Sequence, residues 1–441
     1  MMEVVNYPIE FSLEDIIAQE LPMTLALNES EGKTNQDLLD LFRFPQSQQS
    51  EMPFYVLRTD NAASIAEICE QTYDAMCWAI EWLAENREAV PNYYGADFCK
   101  KYPAFIDYAF WTYANNHEAL YGRFDLALDP HTEQVTGIYE FNGDTPVMLF
   151  ESTGLQHAFT QQVNAQTGHA YDEWNAYFPE AVEALDKVCR LSRTGQQSIG
   201  VALHADFVED MATSETMFHL FDSHDKLYPM IDHINALDFD ELWETSPFLL
   251  NEQEVSHLFV LQPWEEMVES AYDDIISRWQ HWGEKVRFFE PAWRWLMSNK
   301  GIWALISDLL DTESEFREQY GHLPFLKSSL SSETFQQSGM DYVSKPLMGR
   351  LSNNITIIQQ GETTYASDGM YKDEPLLFQE YCAPGQVEGR HNFIAGMWMA
   401  PIGQERAPLV MQAASLCIRE FDQPVLNISN ERFIPHLLRH E

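Results

Sequence analysis

A mixed fold, α+β or α/β in several lobes, is what this sequence predicts, and three observations predict it. The first half reads mainly as helices with apolar residues at three- and four-residue spacing. The last third reads mainly as short strands. Between them, "QSIGVALHADFVEDMATSETMF" runs from a strand into a helix, the alternation of a sheet covered by helices. The chain has 441 residues, 45% hydrophobic and 13% aromatic, which is enough for one or two large lobes with a shared core and excludes a disordered chain.

Residues 1 to 50 form an N-terminal extension of unassigned role. It runs into "RFPQSQQSEMP", a polar, proline-flanked stretch that reads as a linker or surface loop. From Asp60, apolar positions at Ile65, Ile68, Cys69, Met76, Ile80 and Leu83 predict an amphipathic helix, with Asp60 or Asn61 as its N-cap. "AFIDYAFWTYANN" and "EWNAYFPEAVEALDKVCRLS" predict two more helices. "VRFFEPAWRWLMSNKGIWALISDLL" starts as a strand and becomes a helix after Ser298. "DYVSKPL", "NNITIIQQ", "PLLFQEYCAP", "FIAGMWMAPIG" and "SLCIREF" read as strands.

The net charge of −43 sets 69 acids against 26 lysines and arginines. Such a surface excludes nucleic acid as a partner, since phosphate binding needs bases this chain lacks, and it argues against anionic membranes. Its field would attract a cationic small molecule such as a polyamine, although solubility alone accounts for the same balance. The six cysteines are scattered without a CxxC pair, which points to free thiols in a reducing compartment. With no basic stretch and long apolar run at the N-terminus, and no apolar run near the ~20 residues of a membrane span, a cytoplasmic location is expected. The 14 histidines, His204 in "LHAD" among them, show no HExxH or paired metal spacing and read as structural or solvated.

In "YGRFDLALDPHTEQVTGIYEFNGDTP", Tyr121 to Pro146, the apolar letters alternate as in a strand. Asp-Pro starts a turn, so "DPHTEQ" joins two strands. Pairing Leu128 with Val135 sets Asp125 opposite Ile138 and Arg123 opposite Glu140. Arg123, Asp125, Glu140 and Asn142 then share one face; Phe124, Leu126, Tyr139 and Phe141 share the other. Asp125 and Glu140 become diagonal neighbours about 7 Å apart. Two carboxylates and an amide oxygen suit Mg²⁺, and an arginine beside them suits phosphoryl charge. A solvated face carrying an Arg–Glu pair explains the same pattern. Three further features add bases: Lys300 at a helix start, Lys345 at a strand end before a small-residue loop, and Arg419 and Arg432 in "LCIREFDQPVLNISNERFIPH", both expected to pair inward. Together with the acid–amide cluster they describe a site for Mg²⁺ and a polyphosphate.

The chain resembles the synthetase domain of the glutathionylspermidine synthase family and its stand-alone homologues. The resemblance lies in "GRFDLAL…YEFNGDTP", "FFEPAWRWLMSNKGIWALI", "YVSKPLMGR", "FQEY", "GMWMAPIG" and "IREFDQPVLNISNERFIPH", which occur in family order. It covers residues 51 to 441, and the amidase domain of bifunctional members has no counterpart. It implies an ATP-grasp fold, with several lobes around a nucleotide cleft, and an ATP-dependent carboxylate–amine ligase. There, a carboxylate takes the γ-phosphate of ATP to form an acyl phosphate, and an amine displaces phosphate to form an amide. Matched position by position, Asp125, Glu140 and Asn142 are the implied magnesium ligands, for two ions. Arg123 acts on the transferring phosphoryl group, and Arg419 stands at the reaction centre. Lys300 and Lys345 bind nucleotide phosphates, and Gln379, Glu380 and Tyr381 form the adenine hinge.

The sequence departs from the family in two places. After "KP" the family's R-E-G-x-N lid is replaced by "MGRLSNN", where Arg350 keeps only the arginine for ATP. The second hydroxyl of the glutathione-using members is replaced by Val147, after Thr145 and Pro146. The partners implied are ATP, a small-molecule carboxylate (a peptide or amino acid) and an amine such as a polyamine. The alternative is a non-catalytic descendant that binds nucleotide or polyamine, for which the altered lid speaks and the retained Arg123, Asp125, Glu140 and Asn142 do not. The sequence leaves the oligomeric state open.

Overall fold

The ribbon and the long strands of the C-terminal third meet in one antiparallel sheet. Its strands run in the order Arg432–Ile434, Val410–Phe421, Asn392–Ile402, Arg123–Asp129 and Gln134–Asn142. The computed structural model describes residues 1–10, 12–30, 51–191, 196–203, 208–239, 246–402, 409–427 and 429–440. His204, and residues 43–50 of the expected linker, lie outside the described residues.

Along the middle strand of the central sheet both faces are covered. Along Asn392–Ile402, Ala395, Met397 and Met399 enter one apolar cluster while Trp398 and Ala400 enter another. That two-residue period with no wet face is why "FIAGMWMAPIG" is apolar almost throughout. A second sheet is wholly parallel, in the order Arg287–Phe289, His257–Val260, Gln197–Leu203, Leu227–His233. A third, antiparallel sheet carries Lys345. It runs Ser328–Ser329, Leu376–Glu380, Tyr342–Pro346, Thr356–Gln359, Glu362–Ala366. We call the 347–371 part of it, beyond Lys345, the lid.

The predicted helices form over Thr59–Glu85, Pro103–Ala114, Tyr177–Val188, Val208–Asp222 and Gly301–Thr312. The N-cap of the first is Arg58, not Asp60 or Asn61. The reason is Glu133, buried in the ribbon turn. It accepts hydrogen bonds from the Arg58 amide (3.0 Å) and the Asn61 side chain (2.8 Å), which ties the helix start to the turn and engages Asn61 away from the helix end.

One other expectation is corrected. Glu51–Pro53 is strand, not loop. Glu51–Arg58 pairs antiparallel with Glu3–Pro8 and parallel with His436–Arg439, and its Met52, Phe54 and Val56 are buried. All six cysteines are free, as expected, and Cys69, Cys99, Cys189 and Cys417 are buried. Among the described residues no helix is long and apolar enough to cross a membrane.

Candidate functional site

The ribbon strands pair Leu128 with Val135, but the register then shifts twice. The shifts fall between Ala127 and Leu128 and between Asp125 and Leu126. Asp125 therefore stands directly opposite Glu140, and Arg123 opposite Asn142, instead of the diagonal arrangement expected from unbroken pairing. Tyr139 is the extra residue of the second irregularity. It leaves the apolar face and lines the cleft, where its hydroxyl donates to the Cys382 carbonyl (3.1 Å).

A buried arginine holds both ends of the ribbon. Arg294 Nη2 donates to the Tyr121 carbonyl (2.6 Å), Nε to the Gly143 carbonyl (2.9 Å) and Nη1 to the Tyr73 hydroxyl (2.7 Å). Glu290 lies 3.3 Å away, its other oxygen accepts from the Leu120 and Tyr121 amides, and burial pushes it up to about 8 despite Arg294. Gly122 is required here: a Cβ at that position would lie 2.3 Å from Arg294 and 2.6 Å from Phe141. "EPAWR" is thus a clamp that sets the ribbon's height in the cleft.

The cleft has a volume of about 460 Å³, within the range of small-molecule sites. It is lined by every residue for which the family resemblance implies a role, Arg123, Asp125, Glu140, Asn142, Lys300, Lys345, Arg350, Gln379, Glu380, Tyr381 and Arg419, but not by Arg432. Val147 lines it too. In a chain with only 26 lysines and arginines, five in one cleft is a concentration that a solvated strand face does not explain.

Asp125 lies between two guanidinium groups. Arg123 Nε donates to its Oδ1 at 2.8 Å, and Arg419 Nη2 is 2.6 Å from the same oxygen. Burial alone would raise its carboxyl, but the two arginines overcome it and hold it at about 2. Arg419 also meets Glu431 at 3.3 Å. Arg432, expected to pair inward as well, stands opposite Glu420 in the strand register, but that carboxylate is bonded to Arg390 and Tyr55. Gly396 leaves room for Arg123, since a Cβ there would lie 2.9 Å from its Cδ and 2.5 Å from Cys417.

Glu140 is held ionised in the same way: burial opposes ionisation, and Lys300 (3.4 Å) and Lys345 outweigh it. Lys300 also donates to the Gly349 carbonyl (2.7 Å), tying the start of its helix to the lid. Glycine must follow it, because a Cβ at Gly301 would lie 2.0 Å from the Tyr93 carbonyl oxygen. Lys345 donates to the Tyr139 carbonyl (2.9 Å), and burial lowers it to about 8.

The Glu380 and Tyr381 amides already donate to Lys327 and Asp341 carbonyls, and the Gln379 side chain reaches Ser328 Oγ (3.3 Å). Arg350 lines the cleft with all its donors on protein groups. It is bidentate to Asp144 (3.1 and 3.0 Å), with further bonds to Thr145 Oγ1 (3.1 Å) and Glu265 Oε1 (2.8 Å).

Sequence reasoning missed one wall. Glu209 and Asp210 follow the parallel strand Gln197–Leu203, and Glu265 and Glu266 follow its neighbour His257–Val260. All four line the cleft. Acids after the carboxyl ends of adjacent parallel strands meet where such sheets bind ligands. That rule was a usable signal once "QSIGVAL" and "HLFV" are read as parallel neighbours.

Asp125, Glu140 and Asn142 fit Mg²⁺ by their chemistry. Both carboxylates are ionised, and Asn142 directs its amide nitrogen to Asp125 Oδ2 (3.3 Å), so its oxygen remains for a cation. Among the described residues no group of three or more His, Cys, Asp or Glu is gathered as a metal site. A sparse protein ligand set is what Mg²⁺ accepts when substrate phosphates supply the rest.

Three known proteins are similar to this chain. A protein of Haemophilus influenzae (strain ATCC 51907 / DSM 11121 / KW20 / Rd) named "Putative acid--amine ligase" is 25% identical over 336 residues, covering 74% of this chain and 76% of that one. Trypanothione synthetase of Crithidia fasciculata is 23% identical over 317 residues, covering 66% of this chain and 44% of that one. The apo structure of a glutathione synthetase-like effector from Globodera pallida superposes with a TM-score of 0.55 at 12% identity, over 98% of both chains. At that identity the likeness is one of fold, and the expected ATP-grasp fold is the one found. Residues 44–439 match the family described as glutathionylspermidine synthase preATP-grasp, and on a match of that extent the chain belongs to this family.

Proposed function

We propose that the cleft activates a carboxylate with ATP as an acyl phosphate and joins it to an amine. The coarser statement follows from the family: the chain is an ATP-dependent carbon–nitrogen ligase. The observation that carries the finer one is the pairing of ionised Asp125 and Glu140 with Arg123, Arg419, Lys300 and Lys345 in one cleft. Phosphoryl transfer needs little beyond positioning and charge neutralisation, and these residue types supply both.

In this reading Lys300 and Lys345 hold the nucleotide phosphates, and Gln379, Glu380 and Tyr381 face the adenine. Arg123 and Arg419 neutralise charge on the transferring group. Asp125, Glu140 and Asn142 would hold Mg²⁺, as two ions, which would offset the negative charge of the phosphates. Arg350 braces the lid against the floor beside the phosphates. The carboxylate is that of an amino acid or peptide. The four acids after the parallel strands favour a cationic amine, a polyamine among them.

Mass spectrometry on the protein with Mg²⁺-ATP and a matrix of carboxylates and amines tests the reading. Glutathione with spermidine is one well; amino acids, short peptides and diamines fill the rest. A product one water lighter than its precursors, with one ADP per bond, is expected. ATP bound but no product in any well would favour a non-catalytic nucleotide-binding protein, and no ATP binding would overturn the reading.

A further inference from the structure

We infer that Glu265 is the base that takes the proton from the attacking amine. The inference rests on the ligase reading above and adds a residue to it. An aliphatic ammonium, with a pKa near ~10.4, is almost wholly protonated at neutral pH and is then no nucleophile. A ligase that uses such an amine needs an acceptor at the amine's end of its cleft.

Glu265 has the geometry of one. It lines the cleft yet is only 7% exposed. Oε1 accepts from Arg350 Nε (3.1 Å) and Nη2 (2.8 Å), which fixes the carboxylate, while Oε2 is buried with no hydrogen-bond partner. A buried carboxylate oxygen left bare in a ligand cleft calls for an explanation, and a bound ammonium supplies it.

Arg350 sits between two carboxylates, so one negative charge of the trio is uncompensated. Asp144 has the better share, with both oxygens on Arg350 and the Thr145 amide on Oδ1 (3.0 Å). The charged and titratable groups around Glu265 are Arg350 and Tyr371 from the lid, Asp144 from the ribbon's end, Glu266 beside it, and Glu209 and Asp210 from the neighbouring helix. Burial, with Asp144 adding to it and Arg350 opposing it, pushes Glu265 up to about 7, where it can both accept and release a proton under working conditions.

The step balances without another reactant. The ammonium gives one proton to Glu265 Oε2, and the freed nitrogen attacks the acyl carbon. The bond from that carbon to the phosphate oxygen breaks, and the second nitrogen proton leaves with inorganic phosphate.

Glu265→Gln tests this, since it keeps an oxygen for Arg350 and loses the base. Two products are followed from one carboxylate: the amide with spermidine, and the hydroxamate with hydroxylamine, which is uncharged at neutral pH and needs no base. The amide-to-hydroxamate ratio should fall about 100-fold or more, within the range of general-base effects. The rise of the wild-type amide rate through pH ~7 should be lost with it. Glu265→Asp, should the glutamine variant fold poorly, is expected to restore part of the ratio and the pH limb. An unchanged ratio in a folded variant, with hydroxamate still formed, overturns the inference and leaves the ligase standing. Wild type giving no hydroxamate with any carboxylate removes the ligase reading and the inference with it.

Discussion

The ribbon floor and the lid face each other across the cleft and are held by different means. The floor is fixed from behind: Arg294 grips backbone at both ends of the ribbon and is itself fully buried among Tyr73, Phe141 and Trp293. The lid is fixed from the front. Its root is tied by Lys300 to Gly349 and by Arg350 to Asp144 and Glu265, all within the cleft. Beyond that root Leu351 and Met370 are exposed, and Leu351, Ser352 and Asn354 have positive φ. A floor braced in the core keeps its charges at fixed spacing, while a lid braced by ionic contacts inside the cleft can exchange them for a ligand's. The proposed phosphoryl transfer would use that difference, since it calls for a preorganised surface and is served by a cover that can open.

Asp125→Asn tests the floor most severely. It removes the carboxylate shared by Arg123 and Arg419 and leaves two buried guanidinium groups facing an amide. Unfolding in urea should show a loss of about 3–5 kcal/mol, and ATP turnover should fall ~10³-fold or more. A variant with full turnover would break the account of the floor. Arg350→Met does the corresponding damage to the lid. Its global cost should be smaller, about 1–3 kcal/mol, because part of its side chain meets solvent, but limited proteolysis between residues 350 and 372 should quicken several-fold. Equal cost and unchanged proteolysis would mean that the lid is as firmly set as the floor.

Acid should loosen the frame through buried histidines, whereas the lid, which contains no histidine, meets acid through Glu265 at its root. Burial lowers His117 and His436 to about 3 and His257 to about 4, so each stays neutral in the fold while the unfolded chain takes a proton near 6.5. The unfolded state therefore binds more protons between pH 6.5 and 4. Their contribution is fully present above 6.5 and is lost as pH falls, by up to about 1.4 kcal/mol per unit for each group. Urea midpoints measured from pH 7 to 4.5 check it; His436→Gln should flatten the slope. Met370→Ser, at the exposed edge of the lid, should change stability by less than about 0.5 kcal/mol. A larger loss would show that the lid's edge is packed.

Much of this was legible from residue order. Strand parity placed Arg123, Asp125, Glu140 and Asn142 on one face because side chains alternate along any strand. The two register shifts were not legible, since a bulge leaves no mark in an alternating pattern, and so the directly opposed carboxylates and the turn of Tyr139 into the cleft were missed. Asp60 and Asn61 are cap-type residues in the sequence, but the Asn61 side chain is taken by Glu133, 72 residues away in the chain. The acidic wall was missed for a related reason. Glu209 and Glu265 are neighbours only after two parallel strands pair. Local periodicity was readable, and pairing between distant segments was not.

The most direct test of the central claim follows one oxygen. The carboxylate identified by mass spectrometry is labelled with ¹⁸O in both oxygens and converted with Mg²⁺-ATP and its amine. If the carboxylate attacks the γ-phosphorus and the amine then displaces phosphate, one ¹⁸O appears in inorganic phosphate for every amide formed, with ADP as the other product. Label in AMP, or phosphate without label, would contradict the acyl phosphate and the assignment of the cleft to its formation.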